Sequence, residues 1–324
     1  MFIGLRHKVD PLFPRFTNSV DGITVDSVVF EPLPDQVLSI VNQNVNLDME
    51  FGDKELVIDK TVSRTDISFT ESIGHGRFGW VMTGILKDYG RVVIKILREE
   101  SSPEAMEKFM RGHEAWQGVS HANVIKIIGS CFNTFPLLSL LEHSEHISAK
   151  TYLLSLQDQP DLDLSLQLAM DSCAGLAALH TQRITVPDLS VRNCVLDNYF
   201  MLKIGNLGLG RSLYPGDYWP LMTDTVPLRW SSPGQFRRPT HWSVPSYSAP
   251  SLEDNLWALG VLIWELLTYC KQPYKEIQDK QVFEILLGGG DIATYFEAEH
   301  KSNLKYKCVS MLASHNLTLS ESRR

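Results

Sequence analysis

The pattern of hydrophobic and polar residues changes along this chain and divides it into two parts. From Thr65 to about Glu142, short runs rich in β-branched residues predict strands, the clearest being Gly90–Leu97, which reads G-R-V-V-I-K-I-L. From about Ser144 onward, apolar residues recur at helical spacing, as they do through Leu164–His180. The pattern therefore predicts an α+β protein in which a small β-rich lobe precedes a helical lobe.

Residues that start or interrupt regular structure refine this picture. Ser102-Pro103-Glu104 predicts a helix start, because it supplies a capping serine, a proline at the first helical position and an acid in the first turn. Residues 1–64 carry no recognisable motif and are broken by prolines, so they form an extension of unknown role. Short strands are predicted within it at Val37–Ile40 and Leu56–Ile58.

Composition and charge narrow the classes of function. The chain has 324 residues, 44% of them hydrophobic and 21% charged, which is typical of a globular protein with a substantial core. Its net charge of −8, with no basic block, argues against nucleic acid as a partner. The five cysteines have no metal-ligand spacing and predict reduced thiols. They are Cys131, Cys173, Cys194, Cys270 and Cys308.

The uninterrupted apolar runs of this sequence do not predict a membrane span. The N-terminus lacks a cationic and then apolar signal sequence. The longest apolar run, Leu256–Leu267, is too short to cross a bilayer and contains Glu265. We therefore expect a cytoplasmic protein with no transmembrane segment, which would be membrane-associated if its N-terminus were incomplete.

A glycine-rich loop is the first candidate for chemistry. Gly74–Val81 reads G-H-G-R-F-G-W-V and matches the pattern G-x-G-x-x-G-x-V. In dinucleotide-binding folds such a loop leads into a helix. Here it leads into a second extended run, in which Val92–Lys95 stands for the V-A-I-K strand. This order of elements argues against a dinucleotide-binding fold and resembles the arrangement in protein kinases, where such a loop covers the phosphates of ATP.

A second pair of motifs lies further along the chain. Val186–Asn193 reads V-P-D-L-S-V-R-N, where a kinase catalytic loop reads H-R-D-L-x-x-x-N. Lys203–Gly208 reads K-I-G-N-L-G, so Asn206 replaces the metal-binding acid of D-F-G. Together the ordered motifs resemble the protein kinase superfamily over roughly residues 65–292. V-P-L-R-W at Val226–Trp230 resembles its tyrosine-kinase-like branch, and the lemur tail kinases are the most similar group within it.

The resemblance implies a two-lobed protein-kinase fold and a set of site residues. The kinase-like N-lobe would span 65–143 and the C-lobe 144–324, with an insert at about 236–251 and a divergent end after 292, where the C-lobe looks truncated. Asp188 and Asn193 would be catalytic, and Asn193 and Asn206 would hold magnesium. ATP would contact Gly74, His75, Gly76, Gly79, Val81, Val93, Lys95, Leu141 and Glu142.

Departures from the family pattern are expected to weaken the binding of ATP and magnesium. The resemblance places Gly112 where an active kinase has the glutamate that pairs with Lys95. Glu114 is about 200° further around a helix, and Glu107 is no better placed. Asn206 brings magnesium no charge. We therefore expect a broken ion pair and a weakened metal site.

Other departures concern the C-lobe. Pro187 replaces the arginine that receives a phosphate on the activation loop, so Tyr214, Tyr218, Thr223 and Thr225 are predicted to be plain loop side chains. Gly234 replaces a glutamate whose ion pair ties this loop to the last helices. Asn255 replaces an aspartate that anchors the catalytic loop, so both connections are predicted to be lost.

These features predict a pseudokinase that acts as a binding or signalling scaffold for other signalling proteins, with ATP binding still possible. One alternative is a weakly active ATP-dependent protein kinase of the tyrosine type, which uses Lys95, Asp188 and Asn193. Another is a decaying or incomplete gene product.

Overall fold

The computed structural model describes residues 61–156, 162–221, 224–237 and 246–288 of the chain. The predicted strands at Val37–Ile40 and Leu56–Ile58 lie outside these residues, as do Cys308 and the chain after Gly288. The four cysteines within the described ranges are free thiols, three of them buried.

The N-terminal part of the described chain is a five-stranded antiparallel sheet in the order β1-β2-β3-β5-β4. The central strand β3 buries side chains on both faces, with Val92 and Ile94 on one and Val93 on the other. The strands are β1 (Ile67–His75), β2 (Gly79–Leu86), β3 (Gly90–Leu97), β4 (Ile127–Cys131) and β5 (Leu138–Glu142).

Helix α1 (Pro103–Gln117) begins where the sequence predicts it to begin. The Ser102 hydroxyl accepts a hydrogen bond from the Ala105 N–H at 3.3 Å, and Pro103 occupies the first turn, where its missing N–H costs nothing. Phe109, His113 and Trp116 recur at helical spacing and form its buried face. The helix packs against β4, which places it beside β3 and β5.

The C-terminal part of the described chain is mainly helical, so the predicted α+β, two-lobed fold is confirmed. Its helices are α2 (Ala149–Ser155), α3 (Leu162–Thr181), α4 (Gly210–Leu213), α5 (Leu252–Leu267) and α6 (Asp279–Leu287). Three two-stranded hairpins join them: β6 (Cys194–Leu196) with β7 (Leu202–Ile204), β8 (Trp219–Leu221) with β9 (Asp224–Val226), and β10 (Phe236–Arg237) with β11 (Ser246–Tyr247).

One hydrophobic core crosses from the sheet to the helices. Val93 and Leu141 of the sheet belong to the same buried cluster as Leu168 of α3 and Leu262 of α5. Helices α3 and α5 pack against each other beneath the catalytic-loop segment. Among the described helices, α3 alone has the length and hydropathy of a possible membrane span, and a buried core helix meets the same criterion.

The loop around Gly234 is tied to α5 by hydrogen bonds instead of the family's ion pair. The Ser232 hydroxyl donates to the Asp254 carboxylate near the start of α5. The Gln235 side-chain N–H donates to the Tyr247 hydroxyl at 2.8 Å, which connects the loop to the inserted hairpin. Hydrogen bonds thus hold this loop on α5 and on the hairpin, whereas the chain after Gly288, to which the family's ion pair would run, lies outside the described residues.

Candidate active site

The glycine-rich loop forms a tight turn between β1 and β2. The Gly76 N–H donates to the Gly79 carbonyl oxygen at 2.5 Å, and the His75 and Trp80 rings lie 3.6 Å apart between centroids. A Cβ atom on Gly79 would stand 2.1 Å from the Ile96 carbonyl oxygen, so the close approach of β2 to β3 requires glycine there.

This loop lies directly on the segment that begins with Asn206. A Cβ atom on Gly76 would be 3.3 Å from the Gly208 carbonyl oxygen, and one on Gly74 would be 3.2 Å from Leu209. An ion pair of 2.5 Å between Arg77 and Asp224 fastens the turn to β9. The loop is thus closed over the position at which the resemblance places the phosphates.

Lys95 points from β3 into the cleft and makes no ion pair within the described residues. Its ammonium group donates to the Asn206 carbonyl oxygen at 2.9 Å. Burial lowers the pKa of this amine to about 8, and no nearby carboxylate offsets the effect.

Gly112 occupies the place beside Lys95 that the sequence predicts. Both residues line one cavity of about 10 Å³, which is room for a single water molecule. A Cβ atom on Gly112 would meet nothing within 4 Å. Glu107 is paired with Arg111 at 2.6 Å on the helix surface, and Glu114 is exposed. At the position beside Lys95, helix α1 therefore has open space where an active kinase has a carboxylate.

Five of the residues predicted to contact ATP come together on three adjacent strands. Val93 stands opposite Leu141 across the β3–β5 ladder, and Val81 stands opposite Lys95 across the β2–β3 ladder. The three apolar side chains are almost completely buried. Glu142 ends β5 with both carboxylate oxygens 3.0 Å from the Lys203 amine, which links the sheet to β7.

Asp188 is held by hydrogen bonds from two parts of the chain. One carboxylate oxygen accepts from Arg192 at 2.5 Å and from the Ser190 hydroxyl at 3.2 Å. The other oxygen accepts from the Tyr218 hydroxyl at 2.6 Å. Each oxygen of this carboxylate is therefore already engaged by groups of the same chain.

The predicted metal ligands give a poor donor set for a divalent cation. Asn193 uses its amide N–H₂ to donate to the Asp188 carbonyl oxygen at 3.0 Å and to Ser190 at 3.3 Å. Asn206 is neutral, and the described residues contain no group of three acidic, histidine or cysteine side chains that could hold a metal. In this conformation the site does not fit magnesium-bound ATP, because the loop above is closed and the ligands below lack charge.

The catalytic loop remains anchored, contrary to the expectation from Asn255. The Asn255 side-chain oxygen accepts from the Val186 N–H at 2.6 Å, and its N–H₂ donates to the Val186 carbonyl oxygen at 2.8 Å. A buried amide can satisfy both backbone groups of one residue, whereas an ionised aspartate could only accept. The substitution therefore changes the anchor without removing it.

A buried cluster of charges below Asp188 is the main feature that the motifs do not predict. The Lys150 amine of α2 lies 2.6 Å from Asp217, and both side chains are buried. The Arg192 guanidinium lies 3.5 Å from Asp217 and 3.8 Å above the Trp230 ring. Trp230 in turn donates to Glu265 at 2.8 Å.

Burial dominates the ionisation of this cluster. It raises the pKa of Glu265 to about 7, and the neighbouring cations Arg192 and Lys150 limit the rise. The pKa of Tyr218 is also raised, first by burial and then by the Asp188 charge. The phenol therefore stays protonated and keeps donating to Asp188.

The loop tyrosines and Thr225 are not plain loop side chains, so that prediction is wrong for the three that the structure describes. Tyr218 bonds to Asp188, and the Tyr214 and Thr151 hydroxyls lie 2.8 Å apart. Arg211 donates to the Thr225 hydroxyl and, at 2.7 Å, to its carbonyl oxygen. All three side chains lie outside the sequence motifs, which is why the motifs do not reveal these contacts. Thr223 lies outside the described residues.

The fold and these ordered motifs define a protein-kinase domain, and comparison with known families agrees. The chain belongs to the protein tyrosine and serine/threonine kinase family, whose sequence model matches residues 67–319. The match continues beyond residue 292, where individual motifs cease to be recognisable.

Known relatives show where in the family the chain falls. It is 33% identical over 239 residues to mouse serine/threonine-protein kinase LMTK3, which covers 70% of this chain and 17% of the relative. It is 28% identical over 247 residues to the Xenopus laevis insulin receptor, covering 71% and 18%. It is 28% identical over 234 residues to the Drosophila melanogaster tyrosine-protein kinase transmembrane receptor Ror, covering 68% and 32%.

These similarities confirm the predicted superfamily and its tyrosine-kinase-like branch. The chain spans at most about a third of the length of these three relatives. Kinase domains of this family generally bind ATP and magnesium.

Proposed function

We propose that this protein is a pseudokinase: a kinase-fold binding module that assembles with other signalling proteins and has lost efficient phosphate transfer. The observation that carries the proposal is that the two positions where the family has a carboxylate beside the nucleotide, Gly112 and Asn206, have none. Lys95 bonds to a backbone carbonyl because Gly112 supplies no carboxylate, and Asn206 gives a metal ion no charge. ATP could still bind through the glycine-rich loop once that loop opens.

The expected loss of rate is large. Removing one preorganised electrostatic contact from an active site typically costs about 3–4 kcal/mol, or roughly 10²–10³ in rate. Two such losses, one at Gly112 and one at Asn206, correspond to a decrease on the order of 10⁴–10⁶. Contributions of coupled groups are not additive, so this range gives only the scale.

A weakly active tyrosine-type kinase is the second candidate, and one observation favours it. The Tyr218 hydroxyl lies 2.6 Å from Asp188, which is the geometry of a phosphate acceptor held at a general base. The Lys95 amine also remains in the cleft. If magnesium could be recruited by Asn193 alone, slow transfer to a tyrosine would be the result.

The deciding experiment measures thermal unfolding and phosphate transfer on the purified full-length chain. ATP is added with and without Mg²⁺ to the wild type, to Lys95→Met and to Asp188→Asn, and transfer from radiolabelled ATP is followed in parallel. We expect no transfer and no magnesium-dependent rise in Tm. A rise with ATP alone that disappears in Lys95→Met would identify a nucleotide-stabilised pseudokinase.

Other outcomes would change the assignment. Magnesium-dependent transfer that vanishes in Asp188→Asn would overturn the proposal in favour of the weak kinase. Unfolding without a cooperative transition would favour a decayed gene product, because a chain with an intact core unfolds cooperatively.

A further inference from the structure

Open space lies in front of Gly112, between helix α1 and the Lys95 amine. Gly112 and Lys95 line the same small cavity, and a Cβ atom on Gly112 would meet nothing within 4 Å. Gly112 is itself exposed, so this space opens to solvent and gives a small molecule a path to the amine.

The Lys95 ammonium group can take a further hydrogen-bond acceptor. An ammonium has three N–H bonds, and the hydrogen bond of 2.9 Å to the Asn206 carbonyl oxygen uses one of them. Burial lowers the pKa of this amine to about 8, so at pH 7 most of the amine is still protonated. A cation with a free path to solvent is therefore available to an anion.

The rest of the lining strengthens this attraction. Apolar side chains, among them Phe109, Trp116 and Leu141, form much of the wall, and charges attract more strongly in such surroundings than in water. The other titratable group in the lining is His113, whose Nδ1 atom lies 2.8 Å from the Ser139 hydroxyl. The described residues that line the cavity thus present a strong cation and no acid.

We propose that the space between Gly112 and Lys95 binds a short-chain carboxylate, with the carboxylate group on the Lys95 amine and the alkyl chain beside Gly112. Propionate matches this space best, because its heavy atoms are those of a glutamate side chain beyond Cα. The cavity has room for about one water molecule, so the carboxylate group fills it and the alkyl chain lies in the open space. The contact is a charge-assisted hydrogen bond from N⁺–H to O⁻. It depends on these two residues and not on phosphate transfer, so it goes beyond the function proposed above.

The probe is sodium propionate, titrated into the purified full-length chain at pH 7 with sodium chloride as the balancing salt. Binding is followed by thermal unfolding and by saturation-transfer NMR on the propionate methyl protons. We expect a saturable rise in Tm with half-saturation on the order of millimolar, because a ligand this small gains little binding energy. Propionamide, a neutral molecule of the same shape, should bind at least about tenfold more weakly.

Three variants test the two residues. Lys95→Met removes the cation, and Gly112→Gln fills the space with a neutral side chain that suits a helix. Each should weaken propionate binding at least about tenfold while the protein still unfolds cooperatively. Lys126→Met, at an exposed lysine of the N-terminal lobe, is the matched control and should bind propionate as the wild type does.

The chain length of the acid tests where the ligand lies. In the wild type, propionate should bind more tightly than acetate. In Gly112→Ala the added Cβ atom stands where the propionate methyl group would lie, so acetate should become the tighter ligand. A general effect of organic salts on stability would not produce this reversal.

Several results would overturn the inference. They are equal affinity for propionate and propionamide, propionate binding that survives in Lys95→Met, and a preference for propionate that is unchanged in Gly112→Ala. Absence of propionate binding to the wild type would overturn the site and leave the pseudokinase proposal in place. Phosphate transfer by a wild type that binds propionate would do the reverse.

A second carboxylate distinguishes the source of the natural ligand. N-acetylglutamate methylamide carries the same carboxylate group on a peptide unit. If it binds as tightly as propionate, the site accepts an acidic side chain of another polypeptide. If it binds at least about tenfold more weakly, the site takes a free short-chain acid. Both results support a carboxylate site at Lys95.

Discussion

The nucleotide side of the candidate active site and the buried charge cluster below Asp188 differ in how their charges are paired. On the nucleotide side, the Lys95 amine faces a carbonyl oxygen and the open space at Gly112. On the other side, Arg192 and Lys150 are surrounded by Asp188 and Asp217 within 2.5–3.5 Å. Lys95 therefore has no carboxylate partner among the described residues, whereas Arg192 and Lys150 form buried ion pairs.

This difference explains the conformation of each half. An ammonium group without a carboxylate partner still needs a hydrogen-bond acceptor, and Lys95 donates to the Asn206 carbonyl oxygen. The glycine-rich loop lies against the same segment. Paired charges instead need every partner in place, so the charge cluster fixes Asp217 and Tyr218 against the catalytic loop. Under the proposed function, phosphate transfer is weakened where carboxylates are missing, while the conformation is fixed where charges are paired.

The largest expected effect comes from breaking the matched side at Arg192. Arg192→Met leaves Asp188 and Asp217 without their guanidinium partner in a buried setting, where removing one member of an ion pair typically costs about 3–5 kcal/mol. The free energy of unfolding, measured by urea denaturation at pH 7, should fall by that amount.

Arg111→Met is the matched control, because Arg111 pairs with Glu107 on an exposed helix surface. Such pairs are worth about 0.3–0.5 kcal/mol. Equal losses in the two variants would contradict the view that the cluster holds the C-lobe together.

A smaller effect of opposite sign is expected on the unmatched side. Because burial lowers the pKa of Lys95 to about 8, the folded protein at pH 7 carries the cost of a charged, buried amine. The unfolded chain keeps the usual pKa near 10.4, so it binds more protons than the folded chain between pH 8 and 10.4. Wild-type stability therefore gains a contribution as pH rises through that window.

Lys95→Met should remove this cost. It should raise the free energy of unfolding at pH 7 by about 2–3 kcal/mol, less the roughly 1 kcal/mol of the lost hydrogen bond to Asn206. The advantage over the wild type should shrink as the pH rises from 8 to 10.4. Urea denaturation at several pH values, beside the exposed Lys126→Met, tests this, and a difference that stays constant with pH would refute it.

The sequence predicts the regular elements and the missing partner of Lys95 because these depend on local patterns. Helix α1 starts at its serine cap, and Gly112 falls where the family pattern places the partner of Lys95, seventeen positions after it. The cluster could not be predicted in the same way. Lys150 and Asp217 are 67 residues apart and belong to no motif, so only the packing of α2 against the catalytic loop brings them together.

The hydrogen bonds that take the place of missing family residues could not be predicted from the sequence either. Asn255 and Gly234 look like losses when they are compared with the family pattern. The amide of Asn255 works only because both backbone groups of Val186 face it, and Ser232 replaces the missing charge only because α5 begins beside it. One motif is enough to show that a family residue is missing. Whether other groups take over its hydrogen bonds depends on the orientation of backbone that is distant in sequence.

The smallest expected effect comes from supplying the missing partner. Gly112→Glu places a carboxylate in the open space beside Lys95, and the change from glycine also favours the helix by about 0.5–1 kcal/mol. Together these should raise the free energy of unfolding by about 1–2 kcal/mol, and Gly112→Gln, which lacks the charge, should give only the helical part. A double-mutant cycle with Lys95→Met isolates the ion pair, for which a coupling of about 0.5–1.5 kcal/mol is expected. Restoring the pair should also raise the pKa of Lys95, so the pH dependence between 8 and 10.4 should weaken in Gly112→Glu. Zero coupling with an unchanged pH profile would mean that the two sides differ for a reason other than the missing carboxylate.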